Sequence, residues 1–190
     1  MVWISIVAPS DAEGILKEAY DWQSARLGEP TEFTQLGSLY PELVLERLRL
    51  YKVVENAPSD LTPEERLLAS LTTSTLNGTI HCASGAVVRL DDLGVAARIV
   101  DGVERAPTDP DTGNRRLDAI LGYAAKLTRT PGEVRESDVE RLREVGLSDL
   151  DILDLNNIVG YYNYINRVAN GLGLRTRIEQ REHALAAVPA

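Results

Sequence analysis

Apolar residues in this chain recur at intervals of three and four, the spacing of one face of an α-helix, in block after block. Ile15, Leu16, Ala19, Tyr20 and Trp22 form the first block. Ser10 and Glu13 ahead of it have capping-box spacing, and Gly28 supplies the stop. Pro41 predicts a second helix start, with Val44, Leu45, Leu48 and Tyr51 on one face. Thr62-Pro63-Glu64-Glu65 is the strongest start signal: a capping hydroxyl, proline at the first helical position, and a glutamate placed to reach back. Leu67, Leu68 and Leu71 give that helix its apolar face. It should end near Asn77, because Gly78 can take backbone angles that break it. A further helix is predicted from about Ile80 through Val87, Val88 and Leu90. The crowded Pro107, Asp109, Pro110, Asp111 and Gly113 mark Arg105 to Asn114 as a loop. Leu117, Ile120, Leu121, Ala124 and Leu127 then resume the helical period. Ser137 with Glu140 predicts the cap of a short helix before Gly146, and Ser148 the cap of a long one ending at Gly171. The expected architecture is all-α, with residues 1–190 as a single domain.

The long last helix is apolar on nearly every side, through Ile152, Leu153, Leu155, Ile158, Val159, Tyr161, Tyr162, Ile165 and Val168. Such a helix belongs at the centre of a bundle or between subunits, so a homo-oligomer is expected. Its asparagines, Asn156, Asn157, Asn163, Asn166 and Asn170, need polar partners on another helix or subunit. A shift of 86 residues superposes Leu61-Thr62 on Leu147-Ser148, Leu67 on Leu153 and Asn77 on Asn163, the pattern of a duplicated helical hairpin.

Composition narrows the functional classes. The 190 residues are 44% hydrophobic and 26% charged, enough for a real core. A formal net charge of −9 argues against nucleic acid or an anionic membrane as the main partner, since both are themselves negative. No apolar run reaches the length of a bilayer span, and the start lacks the basic and apolar regions of a signal peptide. A single cysteine forms no internal disulfide, which fits a reducing, cytoplasmic setting. Neither a zinc-ligand spacing nor a glycine-rich phosphate loop occurs, so no metal and no cofactor is expected.

Candidate chemistry is concentrated in Asn77-Gly78-Thr79-Ile80-His81-Cys82, which holds that cysteine beside one of the two histidines. A cysteine at a helix start has free backbone N–H groups and the positive end of the helix dipole nearby, and both favour thiolate. His81 would carry a proton. The plainer alternative is a small buried hydrophobe at Cys82 with a hydrogen-bonded His81. His183, in a polar terminal stretch, reads as solvated.

The segment from Asn77 to Cys82 resembles the active-site segment of the alkylhydroperoxidase D and carboxymuconolactone decarboxylase-like proteins. Tyr123-Ala124-Ala125-Lys126-Leu127-Thr128-Arg129-Thr130-Pro131, with Val139 to Gly146 and Tyr161 to Gly173, resembles the peroxidase-related branch of that family. The resemblance runs from about Ile4 to Gly173. It implies an all-α bundle built from a repeated hairpin, assembled as a homo-oligomer such as a trimer or hexamer. It places the peroxide-attacking cysteine at Cys82 and a preceding histidine at His81. The family's resolving cysteine falls on Thr79, its later histidine on Ala86 and its glutamate on Leu67. The attacking thiol is kept, while its resolving partner and most of the proton relay are missing.

The function implied is a thiol-dependent hydroperoxide reductase using Cys82 with His81, regenerated by an external thiol reductant. The alternative is a catalytically silent, oligomeric structural or small-molecule-binding relative. A carboxymuconolactone-type decarboxylase is less favoured, because no residue group stands out to stabilise an enolate.

Overall fold

The computed structural model describes residues 2–179; His183 lies outside them. Nine α-helices account for the regular structure of the described residues: α1 (Gly14–Leu27), α2 (Glu32–Leu36), α3 (Pro41–Glu55), α4 (Pro63–Leu76), α5 (Ile80–Asp92), α6 (Ala97–Arg105), α7 (Arg115–Arg129), α8 (Glu136–Glu144) and α9 (Asp149–Gly171), with short 3-10 turns at Pro9–Asp11 and Pro131–Glu133. The all-α expectation holds. None of the described helices is long and apolar enough to cross a membrane.

Most helix ends follow the local signals. Thr62 accepts from the Glu65 N–H while the Glu65 carboxylate accepts from the Thr62 N–H, a closed capping box with Pro63 at the first helical position. Ser148 and Asp151 repeat the arrangement at the start of α9. Gly28 ends α1 and Gly78 follows α4, both with positive φ.

Two predicted caps are not used. Pro9–Asp11 turns as a 3-10 segment, Ser10 bonds its neighbour Asp11, and α1 begins only at Gly14. Ser137 lies inside α8. The reach-back is made by Asp138, which accepts from the Arg135 N–H at 2.8 Å and from Lys126 of α7 at 2.6 Å. That tertiary ion pair decides which acidic residue sits at the helix start. Helices α2 and α6 are not predicted by the apolar spacing.

The most enclosed helix is α4, not α9. Every residue from Leu67 to Ser74 is buried, and α4 packs against α5, α6, α7 and α9. Two of its buried polar positions bond locally, Ser70 donating to the Leu67 carbonyl at 2.8 Å and Thr73 to the Ala69 carbonyl at 2.9 Å, while Ser74 donates to Asn166 of α9. Helix α9 is buried on three sides but shows an outward row of Leu150, Leu153, Asn157, Gly160 and Tyr164.

The α9 asparagines find partners within the chain. Asn156 accepts from the Tyr123 hydroxyl at 3.2 Å, and Asn166 accepts from Ser74 at 3.3 Å. Asn163 donates to the Thr128 hydroxyl at 3.2 Å, and Asn170 donates to the Asn77 carbonyl at 2.8 Å. Asn157 instead lies on the exposed row.

Candidate functional site

The turn between α4 and α5 fixes the position of the cysteine. Gly78, at φ +63°, lets the chain reverse, and the Thr79 N–H closes the turn on the Ser74 carbonyl at 2.9 Å. Asn170 of α9 then clamps it, donating to both the Asn77 carbonyl and the Thr79 hydroxyl, the latter at 2.9 Å. Thr79 is thereby buried at the cap position of α5, with its hydroxyl committed to α9 rather than to the helix start.

Cys82 is the third residue of α5 and is half-buried against the main core. Burial pushes its thiol up to about 12. The acidified thiol expected from the helix start is therefore not what the fold produces: loss of hydration disfavours the thiolate more than the helix end favours it.

His81, one position back, faces another direction. It is buried, and its Nδ1 lies 3.2 Å from the Thr176 carbonyl oxygen and 3.8 Å from the Glu32 carboxylate. Successive helix residues point about 100° apart, so the two side chains diverge. His81 serves the extended segment of residues 174–179, which crosses α5: the Ile178 N–H donates to Ser84 at 2.9 Å, and the Ile178 side chain fits where Gly85 has no Cβ. Leu67 and Ala86 are both core residues, 5% and 4% exposed. Glu65, near Leu67 in sequence, is held by its cap and by Arg116 at 2.6 Å.

Tyr161 and Tyr162 of α9 lie within electrostatic reach of Cys82 and belong to a polar cluster that also draws on α3 and α5. Arg89 lies seven residues after Cys82, two turns on along the same face of α5. It pairs with Glu55 of α3 at 2.6 Å and donates to the Tyr51 hydroxyl at 3.1 Å. The Tyr162 hydroxyl donates to the other Glu55 oxygen at 3.4 Å. The Tyr51 and Tyr161 rings lie 5.7 Å apart, and Tyr161 meets Tyr162 edge-on at 5.8 Å. Burial raises both phenols above their ordinary range, Glu55 and Tyr51 add to that, and a thiolate at Cys82 raises them further. Burial opposes the Arg89 charge, yet Tyr51 and Glu55 hold it firmly protonated.

This cluster was missed in the sequence. Its one local signal is a lone arginine among the apolar Val87, Val88 and Leu90; the tyrosines read there as core. Among the described residues, no group of three or more His, Cys, Asp and Glu side chains converges as a metal site would.

No family model matches the chain, and no curated protein matches it. Solved structures do. An alkylhydroperoxidase AhpD core, an uncharacterized peroxidase-related protein from Ralstonia eutropha JMP134, aligns with a TM-score of 0.84 at 21% identity, over 100% of this chain and 98% of its own. An uncharacterized peroxidase-related protein from Silicibacter sp. TM1040 aligns with a TM-score of 0.77 at 22% identity, over 90% of this chain and 89% of its own. The debrominase Bmp8, in a cysteine-to-alanine variant bound to 2,3,4-tribromopyrrole, aligns with a TM-score of 0.75 at 17% identity, over 96% of this chain and 94% of its own. The helices, their order and nearly their full extent are thus those of the alkylhydroperoxidase AhpD core, and that is the fold of this chain.

Proposed function

We propose that this protein is a peroxidase-related oxidoreductase that reduces hydroperoxides with the Cys82 thiol. The observation that carries the reading is the setting of Cys82: a half-buried thiol in the first turn of α5, packed on the main core and within electrostatic reach of Tyr161 and Tyr162 of α9. The sulfur attacks the distal peroxide oxygen and the O–O bond breaks. Cys82 becomes a sulfenic acid and the leaving alkoxide takes a proton, so that thiol plus hydroperoxide gives sulfenic acid plus alcohol. With threonine at position 79 there is no second thiol to close a disulfide. Two equivalents of an external small thiol return Cys82 to its reduced form, releasing water and the thiol's own disulfide. Turnover is therefore slow and dependent on that thiol, and the chemistry suits a reducing, cytoplasmic compartment. His81 in this reading anchors residues 174–179 on α5. The working form is a homo-oligomer, joined through the outward faces of α3 and α9.

A silent, ligand-binding or structural relative is the second reading, and the raised Cys82 thiol favours it. The two are separated by exposing the native protein to cumene hydroperoxide in the presence of dimedone and locating the adduct by mass spectrometry. The enzymatic reading expects label on Cys82, and loss of both label and peroxide consumption in Cys82→Ser. Absence of label between pH 7 and 9 would establish the silent reading. Because one structural neighbour is a debrominase, 2,3,4-tribromopyrrole is assayed beside the peroxide as a competing electrophile.

A further inference from the structure

We propose that the hollow between α1 and α3 is a binding site for a small aromatic carboxylate, with the ring on Trp22 and the charge on Lys52. The inference rests on neither reading of Cys82. Arg49, Lys52, Val53 and Asn56 recur at helical spacing along one face of α3 and its cap. With Trp22 of α1, and with Ala57 and Pro58 after α3, they line a hollow of about 540 Å³. That volume falls within the range of small-molecule sites, about 300–1,000 Å³. The hollow lies on the α1 side of α3, whereas Leu50 and Val54 line the groove shared with α9. Its apolar walls stay open to solvent: Trp22 is 38% and Val53 68% exposed. An indole held at the surface beside valine, alanine and proline offers an apolar bed for a ring, since aromatic faces and edges attract one another.

The charge of the ligand follows from which cation is left over. Arg49 is already held: its guanidinium meets Glu46 at 2.5 Å and Glu18 of α1 at 4.0 Å. Asp21, beside Trp22 in sequence, is taken by Lys17 at 2.8 Å. Lys52 pairs with no carboxylate among the described residues. Its Nζ stands 5.9 Å from the Trp22 ring, at the outer limit of a cation–π contact. Lys52 sits in the last turn of α3, where helix-end carbonyls would hold its ammonium and repel an anion. Other donors occupy those carbonyls. Asn56 Nδ2 donates to the Lys52 carbonyl at 2.6 Å, and Arg66 of α4 donates to the Val54 and Ala57 carbonyls at 3.2 and 3.1 Å. The Lys52 ammonium is therefore available to a ligand. In a chain of net charge −9, such a cation at the edge of an apolar bed selects an anion. The bed then selects among anions: a ring packs on the indole while its carboxylate accepts a charge-assisted hydrogen bond from Lys52.

The experiment is a fluorine NMR titration of the native protein with three probes: 4-(trifluoromethyl)benzoate, its neutral amide, and 4-(trifluoromethyl)cyclohexanecarboxylate, which keeps the charge and lacks the π face. The benzoate should bind saturably. The amide should bind about fivefold more weakly, the upper end for a solvent-exposed charge pair. The cyclohexane acid should also bind about fivefold more weakly, through loss of the aromatic contact. Lys52→Gln should bring the benzoate down to the affinity of the amide, and Lys52→Arg should restore it to within about twofold of the parent. Val53→Glu sets a negative charge in the hollow from an exposed position and should abolish saturable binding. Cys82→Ser should bind the benzoate as the parent does, which separates this site from the thiol. A parent that shows no saturable binding overturns the proposal. So does equal affinity for the benzoate and either of the other probes, or benzoate binding that is undiminished in Lys52→Gln and Val53→Glu. If circular dichroism shows that Val53→Glu does not fold, Lys52→Gln decides alone, because it changes an exposed side chain that makes no ion pair among the described residues.

Discussion

Asn77 donates from Nδ2 to the Oδ1 of Asn163 at 3.0 Å, joining two residues 86 positions apart. The same interval relates the capping box of Thr62 and Glu65 to that of Ser148 and Asp151. When two segments are related by an approximate two-fold, a residue near the axis meets its own counterpart, as at a self-complementary interface. Helices α4 and α9 are such counterparts and pack directly together. The likeness does not extend to every position: Leu67 is buried, while its counterpart Leu153 is 58% exposed.

Asn163 also donates to Thr128 and to the Val159 carbonyl, so Asn163→Leu leaves several polar groups unpaired at once. A loss of about 1–3 kcal/mol is expected, read as a lower midpoint in thermal or urea unfolding. In a double-mutant cycle with Asn77→Ala the two changes should couple by about 0.5 kcal/mol or more. Strict additivity would mean that the observed bond carries no stability of its own.

Thr79 and Cys82 occupy the cap and third positions of α5, one turn apart on facing sides. Thr79→Cys should convert peroxide-treated protein to an intramolecular disulfide, seen as a loss of two hydrogens by mass spectrometry and absent in the parent. Asn170 loses its hydroxyl acceptor in this variant, a cost of around 1 kcal/mol. Ala86→His, the other apparent repair of the missing relay, should fail. Ala86 is enclosed in the core, and an imidazole there overpacks it by about 1–3 kcal/mol. A melting temperature equal to the parent's would show that the site has room after all.

The raised Cys82 thiol sets two pH dependences. Alkylation of native Cys82 should climb tenfold per pH unit above 7 with no plateau before about 12. A plateau near pH 8 would expose an ordinary thiol. For stability the sign is fixed by which state ionises first. The unfolded thiol titrates at about 8.5, below the folded one, so the stabilisation is full at lower pH and declines as pH rises past that value. Cys82→Ser should flatten the alkaline decline.

Both α3 and α9 carry exposed apolar residues. Leu43, Leu50 and Val53 stand out from α3, Leu150, Leu153 and Tyr164 from α9, and a shallow groove of about 250 Å³ between the helices is lined by Leu50, Gly160, Tyr161 and Tyr164 among others. A Cβ at Gly160 meets no atom within 4 Å, so Gly160→Arg fits the protomer and projects only outward. Light scattering should give a multiple of 20.9 kDa for the parent and 20.9 kDa for Gly160→Arg. A monomeric parent would rule out the proposed assembly.

What the sequence determined by itself was the helical plan. Thr62 with Glu65, Ser148 with Asp151, Gly28 and Gly78 act through bonds and backbone angles within a few residues, so their signals are complete in the local string. Where a helix start depends on a distant partner, as Asp138 does on Lys126, the local pattern points to the wrong cap. The site divides in the same way. The place of Cys82 at a helix start, and the absence of the usual thiol and relay residues at Thr79, Ala86 and Leu67, are one-dimensional facts. Only the tertiary structure decided the environment of the thiol. Desolvation depends on the core that other helices pack around Cys82, and Tyr161 and Tyr162, which interact with it, lie about 80 residues away, which no local spacing connects. It also decided the direction of His81, because the Thr176 carbonyl that holds it arrives from 95 residues away. The centre of the bundle went to α4 rather than α9 for a related reason. The hydroxyls of Ser70 and Thr73 look polar in sequence but satisfy themselves on their own helix, so burying them costs little.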